Sequence, residues 1–291
     1  MVGQRFDFQQ KSIVESWSGF RWLWSPVSFS FFLFSILISG CTDSGSGTEN
    51  PLLDPEWIDL THPFEESTHY WPNADGFKLD TLFQGMTDQD YYYSAFAFSG
   101  AEHGGTHLDA PIHFAQGKPA ADEIPLDHLT GYSIVVDVRD SASVNRDYQV
   151  KVEDFENWEV QHGKIPTGAI VLILTGHDQY WGNAAEYMGT AARGDSATAH
   201  LHFPGIHPDA ARWLVENRSI KAIGLDTPSI DYGPSPDFES HRIFCEEEIP
   251  GFENLTRLDQ LSPQGDYVIA LPMKIKGGSG GPLRIIALKS K

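Results

Sequence analysis

Eleven residues carry most of the chemistry visible in the chain: His103-Gly104-Gly105-Thr106-His107-Leu108-Asp109-Ala110-Pro111-Ile112-His113. They hold three imidazoles and one carboxylate, broken by two glycines and a proline. His103 and His107 have the spacing of one helical turn, but Gly104-Gly105 and Pro111 oppose a helix. The stretch reads as a tight loop running into a short extended segment. Side chains alternate along an extended chain, so His107, Asp109 and His113 are expected on one side. Nitrogen and oxygen donors converging on so small a volume are what a zinc or manganese site needs. A lone histidine is ordinarily a satisfied core residue. Three histidines and an aspartate around a glycine loop make a candidate metal site instead.

The elements that must position this loop are mostly strands. Residues 57–61 form a short strand stopped by His62-Pro63. Residues 68–77 are rich in aromatics, punctuated by Pro72 and Gly76, and read as a loop able to cover a site. Residues 91–98 alternate well enough to be a strand feeding the histidine loop. Apolar runs at 134–138, 169–175, 222–226, 267–271 and 284–288 read as further strands, and 169–175 is the clearest of them. Near-helical spacing predicts a helix over 152–162 with Gly163 as its stop, and a second over 208–216 with Pro208 in its first turn. Strands outnumber helices and several alternate with them. The expectation is a single α/β domain with a substantial mixed sheet, spanning residues 55–291.

The chain has 291 residues, 41% of them hydrophobic, with 20 basic against 40 acidic side chains. So acidic a balance argues against nucleic acid as a partner, because phosphate binding needs a basic face. In the first forty residues, Arg5, Lys11 and Arg21 precede an apolar run at 29–38. The run is shorter than the roughly 20 residues of a membrane span and fits the apolar part of an export signal. Leu37-Ile38-Ser39-Gly40-Cys41 resembles a bacterial lipobox. That resemblance implies a signal peptide over 1–40, lipidation of Cys41, and a flexible tether over 41–54. The expected protein is then an exported lipoprotein of the cell envelope that meets the membrane only through its lipid. Cys41 and Cys245 are the two cysteines, so no disulfide framework is available.

The histidine loop resembles the HxGTHxDxPxH signature of the cyclase-like metal-dependent hydrolases, a family that includes bacterial kynurenine formamidase and isatin hydrolase. The resemblance continues downstream. His241-Arg242 and Glu253-Asn254-Leu255 match a histidine–arginine pair followed about twelve residues later by a metal-binding glutamate. Glu246, Glu247 and Glu248 are rivals for that role but read as a solvated acidic run. Residues 226–231 (Asp-Thr-Pro-Ser-Ile-Asp) resemble a segment of the family that shapes the pocket floor, and 278–284 resemble its glycine-rich tail.

The resemblance implies a swivelling β/β/α fold, a homo-oligomer, and aromatic residues around the pocket, for which Tyr70, Trp71, Phe77, Tyr180 and Trp181 are candidates. His200 and His202 are further candidates to line it. It implies His103, His107, Asp109, His241 and Glu253 as metal ligands and His113 as catalytic acid/base; direct metal binding is the other reading of His113. Five ligands exceed the three of a typical catalytic zinc, which suggests two ions, zinc or else manganese. Isatin hydrolase-type members are expected to use one manganese and to lack the second carboxylate, so Glu253 points to the two-ion type.

The expected activity is cleavage of a C–N amide bond by metal-activated water. Its named form is an arylformamidase converting N-formyl-L-kynurenine to kynurenine and formate. Opening of a cyclic amide or lactone, as by isatin hydrolase, is the alternative substrate class. A non-catalytic lipoprotein that binds metal or a small ligand is the alternative of another kind. An exported chain sits awkwardly with a cytosolic step of tryptophan catabolism, which leaves the substrate open and the chemistry intact.

Overall fold

The computed structural model describes residues 56–290. The expected export signal, the tether and Cys41 lie outside the described residues. In chain order these begin with β1 (Trp57–Asp59) and a hairpin of β2 (Lys78–Met86) and β3 (Tyr92–Ser99). Next come β4 (His107–Asp109), β5 (Thr130–Asp137), α1 (Arg139–Val144), β6 (Gln149–Val150), α2 (Val152–His162) and β7 (Ile170–Leu174). The second half runs α3 (Ala184–Tyr187), β8 (Gly205–Ile206), α4 (Pro208–Asn217) and β9 (Ala222–Leu225). It ends with α5 (Glu239–Glu246), β10 (Gly251–Glu253), β11 (Gln264–Pro272) and β12 (Gly280–Leu288).

Eight strands form one mixed sheet in the order β1-β12-β11-β5-β7-β9-β10-β4. β4 also pairs with β12, which closes the sheet into a barrel. The successive pairs β5–β7, β7–β9 and β9–β10 are parallel, and the other pairs of this sheet are antiparallel. The expected α/β class with a mixed sheet is the architecture found.

Parallel strands covered on both faces need continuous apolar runs, and β7 is one. Its alternate side chains serve two cores. Ile170, Leu172 and Leu174 face the barrel interior with Leu108, Phe252 and Ile285. Val171 and Ile173 face the helices through Phe155, Trp158, Leu214 and Phe244. α2 ends where expected, at Gly163, whose φ of 88° lets the chain turn away. α4 starts on Pro208, as expected, and buries Ala210, Ala211 and Leu214.

Three differences from the expectations have physical reasons. The extended run expected through His113 stops at Asp109: Pro111 fixes its own φ and starts a single 3-10 turn, Pro111–His113. β2 is a strand that its sequence hides, because its side chains on both faces are largely exposed and no buried stripe marks it. α5 escapes notice because it is only eight residues long and its four buried positions include Ser240 and His241.

Candidate metal centre

Strand alternation builds the first part of the site. β4 turns His107 and Asp109 to one face and Leu108 to the barrel core. β10 pairs antiparallel with β4 in a register that sets Glu253 opposite His107, so the second carboxylate joins the same face. α5 brings His241 to them. Gly105, with φ of 59°, makes the turn that presents its carbonyl to His107 Nδ1 at 2.9 Å.

The donors are close. His241 Nε2 lies 3.0 Å from both Asp109 Oδ2 and Glu253 Oε1. His107 Nε2 is 3.2 Å from Asp109 Oδ1 and 3.4 Å from Glu253 Oε2. His103 Nδ1 is 2.6 Å from Asp109 Oδ1. Both carboxylates are buried, Asp109 with 2% and Glu253 with 4% exposure. The far nitrogens of two rings are tied down. His107 Nδ1 donates to the Gly105 carbonyl, and His241 Nδ1 donates to Asp231 Oδ2 at 2.6 Å. Asp231 is itself held by the backbone N–H groups of Ser240 and His241. Each ring thus turns Nε2 toward the carboxylates, the arrangement by which outer partners orient metal ligands. Asp231 lies in the 226–231 segment expected at the pocket floor, but its part in aiming His241 is visible only in three dimensions.

The electrostatics call for positive charge at this point. Burial works to lower His107, but Asp109 and Glu253 outweigh it and push it up to about 9. His241 is likewise driven well above the ordinary range by Asp109, Asp231 and Glu253 against the effect of burial. Burial, then the nearby Asp109 charge, pushes Glu253 upward. Among the described residues, two groups of donors could each hold an ion: His103, His107 and Asp109, and Asp109, His241 and Glu253. Asp109 belongs to both. Imidazole nitrogens and carboxylate oxygens meeting in a buried volume are a donor set that zinc or manganese accepts.

All five expected ligands therefore meet, and His113 joins them by a different route from the one expected. From its 3-10 turn it stacks on the His103 ring, centroids 3.8 Å apart and 18° from parallel. Burial brings it down to about 4, against the pull of Asp109, so its ring is neutral at pH 7. Glu246, Glu247 and Glu248 are exposed and away from the cluster, as expected of a solvated run.

The cluster floors a cavity of ≈ 290 Å³. Tyr70 and Trp71 wall it as expected, and Phe114 and Phe238, not singled out from sequence, complete the wall. The other aromatic candidates do not line it. Trp181 stacks on His62 at 3.9 Å, Tyr180 packs behind with Tyr187 and Phe203, and Phe77 packs on Phe64 and Phe98. Pro228 and Ser229 contribute to the lining, in keeping with a pocket-floor segment. His200 and His202 do not; His202 is exposed and paired with Asp147.

Comparisons with known proteins agree with this picture. Residues 58–232 match the family described as putative cyclase. An isatin hydrolase from Roseibium aggregatum is 30% identical over 65% of this chain and 73% of its own length. A kynurenine formamidase from Bacillus cereus is 26% identical over 79% of this chain and 96% of its own. The solved isatin hydrolase A from Ralstonia solanacearum superposes with a TM-score of 0.74 at 30% identity, covering 85% of this chain and 99% of that one. With a family match over more than half of its length and a fold shared with a solved relative, the chain belongs to the putative cyclase family.

Proposed function

We propose that the protein is a metal-dependent hydrolase that cleaves the C–N bond of a small aryl amide. N-formyl-L-kynurenine is the substrate we favour, giving kynurenine and formate. The observation that carries this reading is one buried carboxylate, Asp109, shared by two donor groups at the floor of an aromatic-walled cavity. Similarity to a kynurenine formamidase supports the linear formamide. A second reading, opening of a cyclic amide such as isatin, is supported by the 30% identity to an isatin hydrolase.

His103, His107, Asp109, His241 and Glu253 are the side chains that would hold the ions. A divalent cation bound there supplies Lewis-acid polarisation of the carbonyl and a water acidic enough to attack at neutral pH. His113 moves the proton. Its ring is neutral at pH 7 and sits beside the donor cluster, so it can take a proton from the attacking water and pass it to the departing nitrogen. Tyr70, Trp71, Phe114 and Phe238 flank the aryl group.

The test is His113→Ala, assayed on N-formylkynurenine and isatin with metal content measured alongside. We expect kcat to fall by about 10²–10⁴, the usual contribution of a general acid/base, with metal content unchanged. Full turnover in the variant would remove His113 from the mechanism. Lost metal, with no turnover in the parent protein, would favour a binding protein over an enzyme.

A further inference from the structure

His103 differs from the other two ring donors in how its far nitrogen is held. His107 and His241 each donate that nitrogen's proton to an oxygen that can only accept. The far nitrogen of His103, Nε2, lies 2.8 Å from Ser279 Oγ, which can donate or accept. Proton bookkeeping resolves the direction. Ser279 Oγ is 2.7 Å from Glu102 Oε2, and the same carboxylate oxygen takes the Ser279 backbone N–H at 2.9 Å. A carboxylate has no proton to give, and a hydroxyl has one. The Ser279 proton therefore goes to Glu102, and Ser279 Oγ accepts from Nε2–H of His103. Nδ1 is left as the nitrogen whose lone pair faces Asp109, 2.6 Å away.

The glycine-rich tail is shaped around this chain of contacts. A Cβ on Gly278 would meet Glu102 Oε1 at 2.8 Å, and one on Gly280 would meet the His103 ring at 2.6 Å. The serine between them sits where only small neighbours allow both the ring and the carboxylate to approach.

We propose that Glu102 and Ser279 are positioning residues that lock His103 in its Nε2–H tautomer, so that this histidine offers Nδ1 to the cation while His107 and His241 offer Nε2. The proposal rests on the metal-site reading above. It gives the chain two outer relays of different construction, Asp231 behind His241 and Glu102–Ser279 behind His103.

The test is zinc affinity of the full chain, prepared metal-free and titrated against a chelating dye. Loss of an outer partner typically weakens metal binding about 10–100-fold, and we expect Ser279→Ala to do so. Ser279→Thr, which keeps the hydroxyl, is expected to retain wild-type affinity. Long-range ¹H–¹⁵N spectra of the zinc-loaded, histidine-labelled wild type should show the His103 proton on Nε2, a readout that does not depend on how any variant folds. Unchanged zinc affinity in Ser279→Ala, or a proton on Nδ1 of His103, would overturn the relay while leaving the metal site standing. A wild-type chain that binds no zinc would overturn the metal-site reading and the relay with it.

Discussion

His177 is buried against Tyr187 and Phe203, with Nε2 bonded to the Tyr187 carbonyl at 2.7 Å. Burial holds it down to about 4, and His62, stacked on Trp181, is held down to about 4 in the same way. Their unfolded counterparts titrate near 6.5, so between about pH 6.5 and 4 the unfolded chain binds more protons than the folded one. Their contribution is therefore full above pH 6.5 and is lost as pH falls toward 4. We expect His177→Gln to lose less stability than the parent between pH 7 and 5, measured by denaturant unfolding. Comparing parent with variant separates this from His107, which the carboxylates push the other way. An equal pH slope in both proteins would contradict it. Residue identities made much of the candidate metal site legible beforehand, because His103, His107, Asp109 and His113 are close in sequence. Asp231, Glu102 and Ser279 were not legible as orienting groups, since their roles depend on which ring nitrogen they meet across the fold.

Three residues of β4 join the core to the site. Leu108 is fully buried in the barrel between His107 and Asp109, which face the cavity. Truncating a buried leucine removes its transfer energy and leaves a cavity, at about 2–5 kcal/mol. We expect Leu108→Ala to cost about that much in urea unfolding and to weaken metal binding too, because the same strand presents two donors. A stability loss within error of zero would show that β4 is not anchored by this residue. The buried strands were readable from their apolar runs, β7 above all. β2 was not, because nothing among the described residues covers it. α5 was not, because the residues it buries are partly polar and two of them, Ser240 and His241, bond the carboxylate Asp231.

The β2–β3 hairpin exposes side chains on both faces, and nothing among the described residues covers it. Among the described residues, nine of the sixteen exposed large apolar side chains lie between positions 79 and 98, among them Leu82 at 67% and Phe98 at 57% exposure. A two-stranded hairpin is marginal in water by itself. Nine such side chains, about half exposed, offer on the order of 900 Å², close to the ~800 Å² per partner of a standard interface. With a net charge of −20 on each copy, association is better served by the paired strands of this hairpin, whose charged side chains Lys78 and Asp80 balance, than by a strongly acidic face. We expect sedimentation velocity to show a dimer or larger assembly, and Phe96→Glu with Phe98→Glu to shift it to monomer. A monomeric parent would contradict this, as would an assembly that the substitutions leave intact.

We propose that one buried cluster, centred on Asp109, holds catalytic metal. The deciding measurement is the metal content of the purified full chain, counted per protomer by elemental analysis. We expect about two divalent ions in the parent, as two-metal hydrolytic sites hold, and loss of both in Asp109→Ala, because that carboxylate serves both donor groups. A parent with no bound metal, or an Asp109→Ala variant that keeps its full complement, would contradict the claim.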